Sequence, residues 1–261
     1  MSLATLDERT GVLGRRNALA KLVAATVVGV PLLLSIDPVS AAVALAAVLV
    51  LLPFARLSAR GLWLRLWPIV VSALMAAAAT VLYGRAGGET YLQWGLVHVS
   101  DGSLLLAAAI ALRVLAIAVP SVVLFATTDP TDLADALAQL AKLPARFVIG
   151  ALAGMRLVGL LIDDWNELAR ARRARGIADN GRVRRFLGQA FAVFVLAIRR
   201  GSDLATAMEA RGFDAPVTRT WARTSRLTAG DAVLVLLGLA VAAASVGIAL
   251  VTGSWRFVLT L

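Results

Sequence analysis

Arginine is the residue type through which this chain has chemistry to offer, partly because so little else is available. Its 261 residues include no cysteine and one histidine, His98. Disulfides, thiolate ligands and cysteine nucleophiles are thereby excluded, and a histidine-based metal site lacks partners. The two lysines, Lys21 and Lys142, follow no glycine-rich loop, so the chain carries no phosphate cradle of the P-loop type. Nucleotide hydrolysis, if the protein depends on it, is expected in other subunits. Asp163, Asp164 and Glu167 stand close enough to suggest a metal cluster. Arginines follow them on the same helix, however, and a solvated charged face with a Glu167–Arg170 pair is the expectation. No metal and no cofactor is expected.

The arginines that stand out belong to a repeated device. "ARARRARGIAD" runs from Ala169 to Asp179 and "LATAMEARGFD" from Leu204 to Asp214. Each contains Ala-Arg-Gly near the end of a helical pattern: Ala174, Arg175 and Gly176 in one, Ala210, Arg211 and Gly212 in the other. Glycine just past a helix is its preferred stop, and a cation in the last turn suits the helix dipole. One such tripeptide would be an ordinary helix end. Two, set 36 residues apart and each flanked by small residues (Ala171, Ala174, Ala178; Ala207, Ala210, Ala215), suggest more. Small flanks let a guanidinium enter a partner's groove, where its planar fork pairs bidentately with a carboxylate. Removing one member of such a desolvated pair costs about 2–5 kcal/mol. Two plugs imply two partner sites of one kind.

The elements that must carry these tips are set by composition. The chain is 60% hydrophobic and 16% charged, with a mean hydropathy of +0.83, which points to an all-α polytopic membrane protein. Five stretches approach the ~20 apolar residues that a bilayer core requires: about Ala18–Ile36, Val39–Leu57, Leu66–Tyr83, Leu104–Ala126 and Ala232–Val251. Pro31, Pro68 and Pro120 lie inside three of them, as membrane helices tolerate. The N-terminus has acids before its arginines and no convincing cleavage site, so the first span is expected to be retained.

The formal charge of +10 is read as topology and not as a nucleic-acid footprint. Arg9, Arg15, Arg16 and Lys21 precede the first span, Arg56, Arg60 and Arg65 mark the second loop, and Arg85 alone marks the third. With the many arginines after Thr127, 23 of 26 basic residues fall on one side. The positive-inside rule puts the N-terminus and the region 127–228 in the cytoplasm and the C-terminus outside. The expected organisation is therefore a membrane region, 1–126, a coupling region, 127–228, and a last span within 229–261.

Within the coupling region Phe147–Ile162 and Phe186–Ile198 are apolar. Were both to cross the bilayer, seven arginines between them would face outward, so two long helices at or below the inner surface are expected instead. Phe147, Gly150, Ala151, Gly154, Val158 and Leu161 form the apolar stripe of the first. Phe186, Ala190, Phe194, Ile198, Ala205 and Met208 form that of the second, with a break near Gly201. Gly150 and Gly154 make a G-x-x-x-G that permits close helix approach, with packing inside the chain as the ordinary expectation. Asp129, Pro130 and Thr131 read as a helix start with Asp132 and Asp135 in its first turn. His98, Tyr91 and Trp94 fit an interfacial aromatic belt. Arg113, inside the fourth span, is expensive in lipid, and both a functional and a structural role stay open for it.

Three function classes compete: a transporter scaffold coupled to ATP hydrolysis elsewhere, a membrane-embedded enzyme, and a permease or carrier that works alone. The second lacks a catalytic constellation. The third would need several ionisable groups within the spans, where only Arg113 stands.

At these residues the sequence resembles the transmembrane T component of energy-coupling factor (ECF) transporters, which include the CbiQ-type permeases of cobalt uptake. "TTDPTDLADALAQL" (Thr127–Leu140), "MRLVGLLIDDWNELARARRARG" and "RRGSDLATAMEARGF" are similar to the family's fourth-span exit and its two coupling helices. "RTWARTSRLTAGD" (Arg219–Asp231) resembles the entry to the last span, and Lys21 fits the family's lysine, although the histidine that often precedes it is absent. The resemblance implies a scaffold joining a substrate-binding membrane S component to two cytoplasmic ATPases. Ala174-Arg175-Gly176 and Ala210-Arg211-Gly212 would each insert into one ATPase. Gly150, Gly154 and Phe194 would meet the S component, which selects a vitamin or transition-metal ion such as cobalt or nickel.

Overall fold

The computed structural model describes residues 11, 13–55, 58–84, 87–94, 97–176, 181–213, 215 and 220–255. The loop arginines Arg9, Arg56, Arg85 and Arg219, the N-terminal segment 1–10 and Ala178 lie outside them. The described residues are almost wholly helical, an all-α multi-pass membrane protein as composition predicts. In chain order they form α1 (Ala18–Leu34), α2 (Pro38–Leu51), a 3-10 turn (Leu52–Ala55), α3 (Ala59–Tyr83), a hairpin of β1 (Thr90–Trp94) and β2 (Val97–Ser100), α4 (Asp101–Ala126), α5 (Pro130–Gln139), α6 (Ala145–Ala174), α7 (Arg182–Ala210) and α8 (Ala229–Val251).

Local chemistry starts these helices where the sequence changes from polar to apolar. The Asn17 side chain accepts from Leu19 N–H at α1, and Asp37 accepts from Ser40 N–H at α2, with Pro38 in its first turn. Ser100 and Ser103 form a reciprocal capping box on α4, and Thr228 with Asp231 does the same on α8. Such caps satisfy amide donors that a helix start leaves without partners. Asp129 accepts from Thr131 N–H at 2.8 Å, as expected for the start of α5. Asp132 lies in its first turn, whereas Asp135 falls beyond it. Pro31, Pro68 and Pro120 sit inside α1, α3 and α4.

Four described helices are long and apolar enough to cross a membrane: α3, α4, α6 and α8. The set differs from the expected spans at two places. The helices α1 and α2 have 17 and 14 residues, because the turn Ser35–Asp37 and the 3-10 turn cut them short. The helix α6 qualifies although the sequence reading kept it out of the bilayer. It runs unbroken for 30 residues, and between Phe147 and Ile162 it carries one charge, Arg156.

The chain forms two compact units, Met1–Leu133 with Ser225–Leu261, and Ala134–Thr224. In the first, α1, α2, α4 and α8 enclose a core of Val28, Leu32, Ala44, Ala116 and Val241. Small residues let these backbones approach. A Cβ at Gly238 of α8 would lie 3.2 Å from the Ala24 carbonyl oxygen. The helix α3 packs along α4, and β1 pairs antiparallel with β2, His98 opposite Gln93. This hairpin was not anticipated. Tyr91 Oη donates to Asp101 Oδ1 at 2.8 Å, and that carboxylate raises the phenol's pKa above its ordinary value by hydrogen bond and charge. The second unit is dominated by α6 and α7.

Candidate functional site

The tips that carry Arg175 and Arg211 are positioned by a crossing of α6 and α7. Neither helix buries much of itself: α6 has no buried residue and α7 only Gln189. Directional contacts hold the crossing instead. Gln189 Nε2 donates to the Trp165 carbonyl at 2.6 Å, and Arg172 donates to the Gly188 carbonyl at 2.9 Å. The Trp165 and Phe186 rings meet edge to face at 5.5 Å. Arg200 pairs with Asp164 at 2.8 Å, while the other Asp164 oxygen is buried without a hydrogen-bond partner among the described residues. Later residues of α6 meet earlier residues of α7, so the two cross with opposed directions.

That arrangement corrects two sequence readings. Asp164 does not lie on a solvated face, since α7 covers it. Arg170 donates to the Asn166 carbonyl of its own helix at 3.3 Å. Among the described residues no three His, Cys, Asp or Glu side chains gather as a metal site. The break expected near Gly201 is absent, because α7 continues through it to Ala210. A lone glycine lowers helix propensity without forbidding helix.

The two tips have the same backbone form. Arg175 has φ −87° and ψ 4°, Arg211 φ −88° and ψ 9°, and the glycine after each has φ 68°. Arg175 N–H donates to the Ala171 carbonyl and Arg211 N–H to Ala207, at 3.2 and 3.3 Å. At the second tip Phe213 N–H returns to the Met208 carbonyl at 3.0 Å, the long bond of a Schellman stop. The positive φ is what makes glycine necessary at 176 and 212. Arginine and alanine at both tips are exposed.

Their spacing follows from the rod between them. Gly188, which Arg172 touches, precedes Arg211 by 23 residues, a rise of about 35 Å at 1.5 Å per residue. One tip therefore projects where the helices cross and the other at the far end of α7. Both cannot enter one groove.

Among the described residues Gly150 and Gly154 pack against no other element, contrary to the ordinary expectation. A Cβ at either would meet nothing within 4 Å, and Phe194 is 61% exposed. Gly150 and Gly154 on α6 and Phe194 on α7 are thus each uncovered among the described residues.

Sequence reasoning missed a polar node in the first unit. Lys21, 2% exposed, donates to the Thr127 carbonyl at 2.8 Å. Asp231 accepts from Asn17 N–H at 2.8 Å and from Thr228 N–H and Oγ1 at 2.7 and 2.8 Å. The capping box Thr228-x-x-Asp231 was legible, but a carboxylate that caps two helix starts was not. Arg113 also gains a partner: it donates to the Leu33 carbonyl, one of the orphan acceptors at the end of α1.

A family model described as cobalt transport protein matches residues 12–221. The energy-coupling factor transporter transmembrane protein EcfT of Limosilactobacillus fermentum is 34% identical over 170 residues, 60% of this chain and 63% of that protein. Proteins of the same name from Lacticaseibacillus paracasei and Brevibacillus brevis are 32% and 31% identical. Those matches cover 66% and 65% of this chain and 71% and 66% of theirs. The match thus spans less than two thirds of the first relative's length.

Proposed function

The chain belongs to the CbiQ family of cobalt transport proteins, and from that premise we propose that it is the transmembrane scaffold of an ECF-type importer. It joins two partner ATPases to a membrane S component and is itself non-catalytic. The observation that carries this reading is the duplicated tip: two exposed arginines in one backbone conformation, each locked by a positive-φ glycine. Two ATPases present two equivalent grooves, and two equal plugs set about 35 Å apart along a stiff rod suit them. The name that the relatives share supports the same assignment.

In this reading residues 1–126 and 229–261 form the membrane part and 127–228 the coupling part. The concentration of basic residues supports a cytoplasmic N-terminus and cytoplasmic tips, with the C-terminus outside. Closure of the ATPase pair on nucleotide binding shifts Arg175 relative to Arg211, and α6 and α7 transmit the shift as levers. Gly150, Gly154 and Phe194 meet the S component, which slides over the glycines because shallow side chains interlock little. The cargo, selected by the S component, is a vitamin or transition-metal ion, with cobalt suggested by the family's description. A permease that works without an S component finds less support, since Arg113, an ionisable group inside α4, donates to the end of α1.

The test is ATP-dependent uptake by the reconstituted complex carrying Arg175→Ala with Arg211→Ala. Loss of uptake together with loss of ATPase association is expected. Full uptake with normal assembly defeats the docking role.

A further inference from the structure

Asn17 uses every polar group it carries. Its backbone carbonyl accepts from Lys21 N–H at 3.2 Å, and its side-chain oxygen caps α1 by accepting from Leu19 N–H at 2.9 Å. Its backbone N–H donates to Asp231 at 2.8 Å. Its side-chain amide donates to the Ser225 hydroxyl at 2.9 Å and to the Arg226 carbonyl at 3.1 Å. Capping a helix needs the side-chain acceptor alone. The two amide donors therefore have a separate task, which is to hold residues 208 and 209 positions away along the chain.

The held segment is a connection between the two compact units. The second unit is one continuous stretch, Ala134–Thr224, so two covalent connections join it to the first. The outgoing connection lies inside α5, where the helix's own hydrogen bonds stiffen it. The returning one, residues 223–228, contains neither helix nor strand, so contacts to its sides must fix it. Within the second unit Gln139 Nε2 donates to the Arg223 carbonyl at 2.8 Å. Within the first unit Asn17 takes Ser225 and Arg226. Asp231 then ties the start of α1 to that of α8, accepting from Asn17 and from Thr228. These two helices pack along each other, with Gly238 against Ala24.

We infer that Asn17 is a positioning residue for energy coupling. Its amide donors fasten the returning chain to the starts of α1 and α8. A shift of the arginine-tipped helices then displaces this helix pair instead of being absorbed in the irregular segment. The inference rests on the scaffold reading above, and the experiment separates the two.

Asn17→Ser separates fastening from capping, because serine caps a helix about as well as asparagine but lacks the amide donors. The chain has no cysteine, so thiols for spin labels can be introduced without background. Leu74→Cys on α3 and Leu236→Cys on α8, both exposed, report displacement of α8 within the first unit. The full chain, purified with its co-expressed ATPases, is measured nucleotide-free and with a non-hydrolysable ATP analogue. The label distance is expected to change on nucleotide binding. Asn17→Ser should keep ATPase association and reduce that change to about half or less, since losing net hydrogen bonds shifts the fastened fraction severalfold. A merely structural role would lower the unfolding midpoint and leave the nucleotide response intact. An unchanged response in Asn17→Ser overturns the inference, and so does a label distance that ignores nucleotide in the unsubstituted complex. Failure of the unsubstituted chain to co-purify with the ATPases removes the scaffold reading itself. If Asn17→Ser does not assemble, Ser225 decides. A response reduced by Ser225→Ala and restored by Ser225→Thr, which keeps the hydroxyl, supports the inference, and any other result overturns it.

Discussion

Lys21 Nζ lies 2.8 Å from the carbonyl oxygen of Thr127, a hydrogen bond across 106 positions of chain. It ties the second turn of α1 to the end of α4. The neighbouring Asn17 donates to the Ser225 hydroxyl at 2.9 Å and to the Arg226 carbonyl at 3.1 Å. The chain leaves the first unit after Leu133 and returns at Ser225, so exit and return are both fastened to the start of α1. Lys21→Met leaves the Thr127 carbonyl buried and unpaired, at an expected cost of about 1–3 kcal/mol. Thermal unfolding of the detergent-solubilised protein should show a lowered midpoint, with an unchanged midpoint contradicting the role.

Glycines in the two units are expected to respond oppositely to substitution. At Gly238 a side chain meets the Ala24 backbone, which yields less readily than a flexible side chain, so Gly238→Ala should cost about 1–3 kcal/mol and Gly238→Leu more. Gly150→Leu and Gly154→Leu project into open space and replace glycine by a better helix former, so they should not lower the unfolding midpoint of the isolated chain. Their effect should appear in co-purification of the S component, reduced several-fold or more. A stability loss at Gly150 without change in association would count against that surface.

The matched caps predict matched sensitivities. Gly176→Ala and Gly212→Ala force a Cβ into the left-handed region, and each should cost about 1 kcal/mol of local order. Read as ATPase affinity in a pull-down titration, that corresponds to about a fivefold loss at each tip. Loss at one tip only would show that the glycines do different jobs.

Arg200 and Asp164 supply a coupling measurable by a double-mutant cycle. The side chains are 34% and 13% exposed, so solvent screening keeps the pair below fully buried examples. Arg200→Ala should loosen the α6–α7 crossing by about 1–2 kcal/mol, because the Asp164 carboxylate then loses the guanidinium it pairs with. Adding Asp164→Leu should recover much of this. Hydrogen exchange at the amides of 186–193 reports the outcome, and additive single effects would deny the coupling.

Much of the architecture was legible because membrane helices advertise themselves. Long apolar runs mark α4 and α8 to within a few residues and α3 at its end, though α3 starts at Ala59 and not at Leu66, and Ala-Arg-Gly marks two helix ends by local rules alone. The hairpin Thr90–Ser100 escaped because it is short and lies in a loop, where the aromatic residues admit a belt as readily as strands. Asp163, Asp164 and Glu167 looked alike in the sequence, and only the crossing of α7 singled out Asp164.

Composition and periodicity by themselves determined an all-α, multi-pass protein with two arginine-tipped helices, since hydropathy and helix stops depend on neighbours along the chain. Tertiary structure alone decided which side chains meet: Lys21 with Thr127, Asp231 with Asn17, and Arg113 with the end of α1. Such pairings join residues tens to hundreds of positions apart. They are fixed by how helices of known length cross and pack, a geometry that no local pattern encodes.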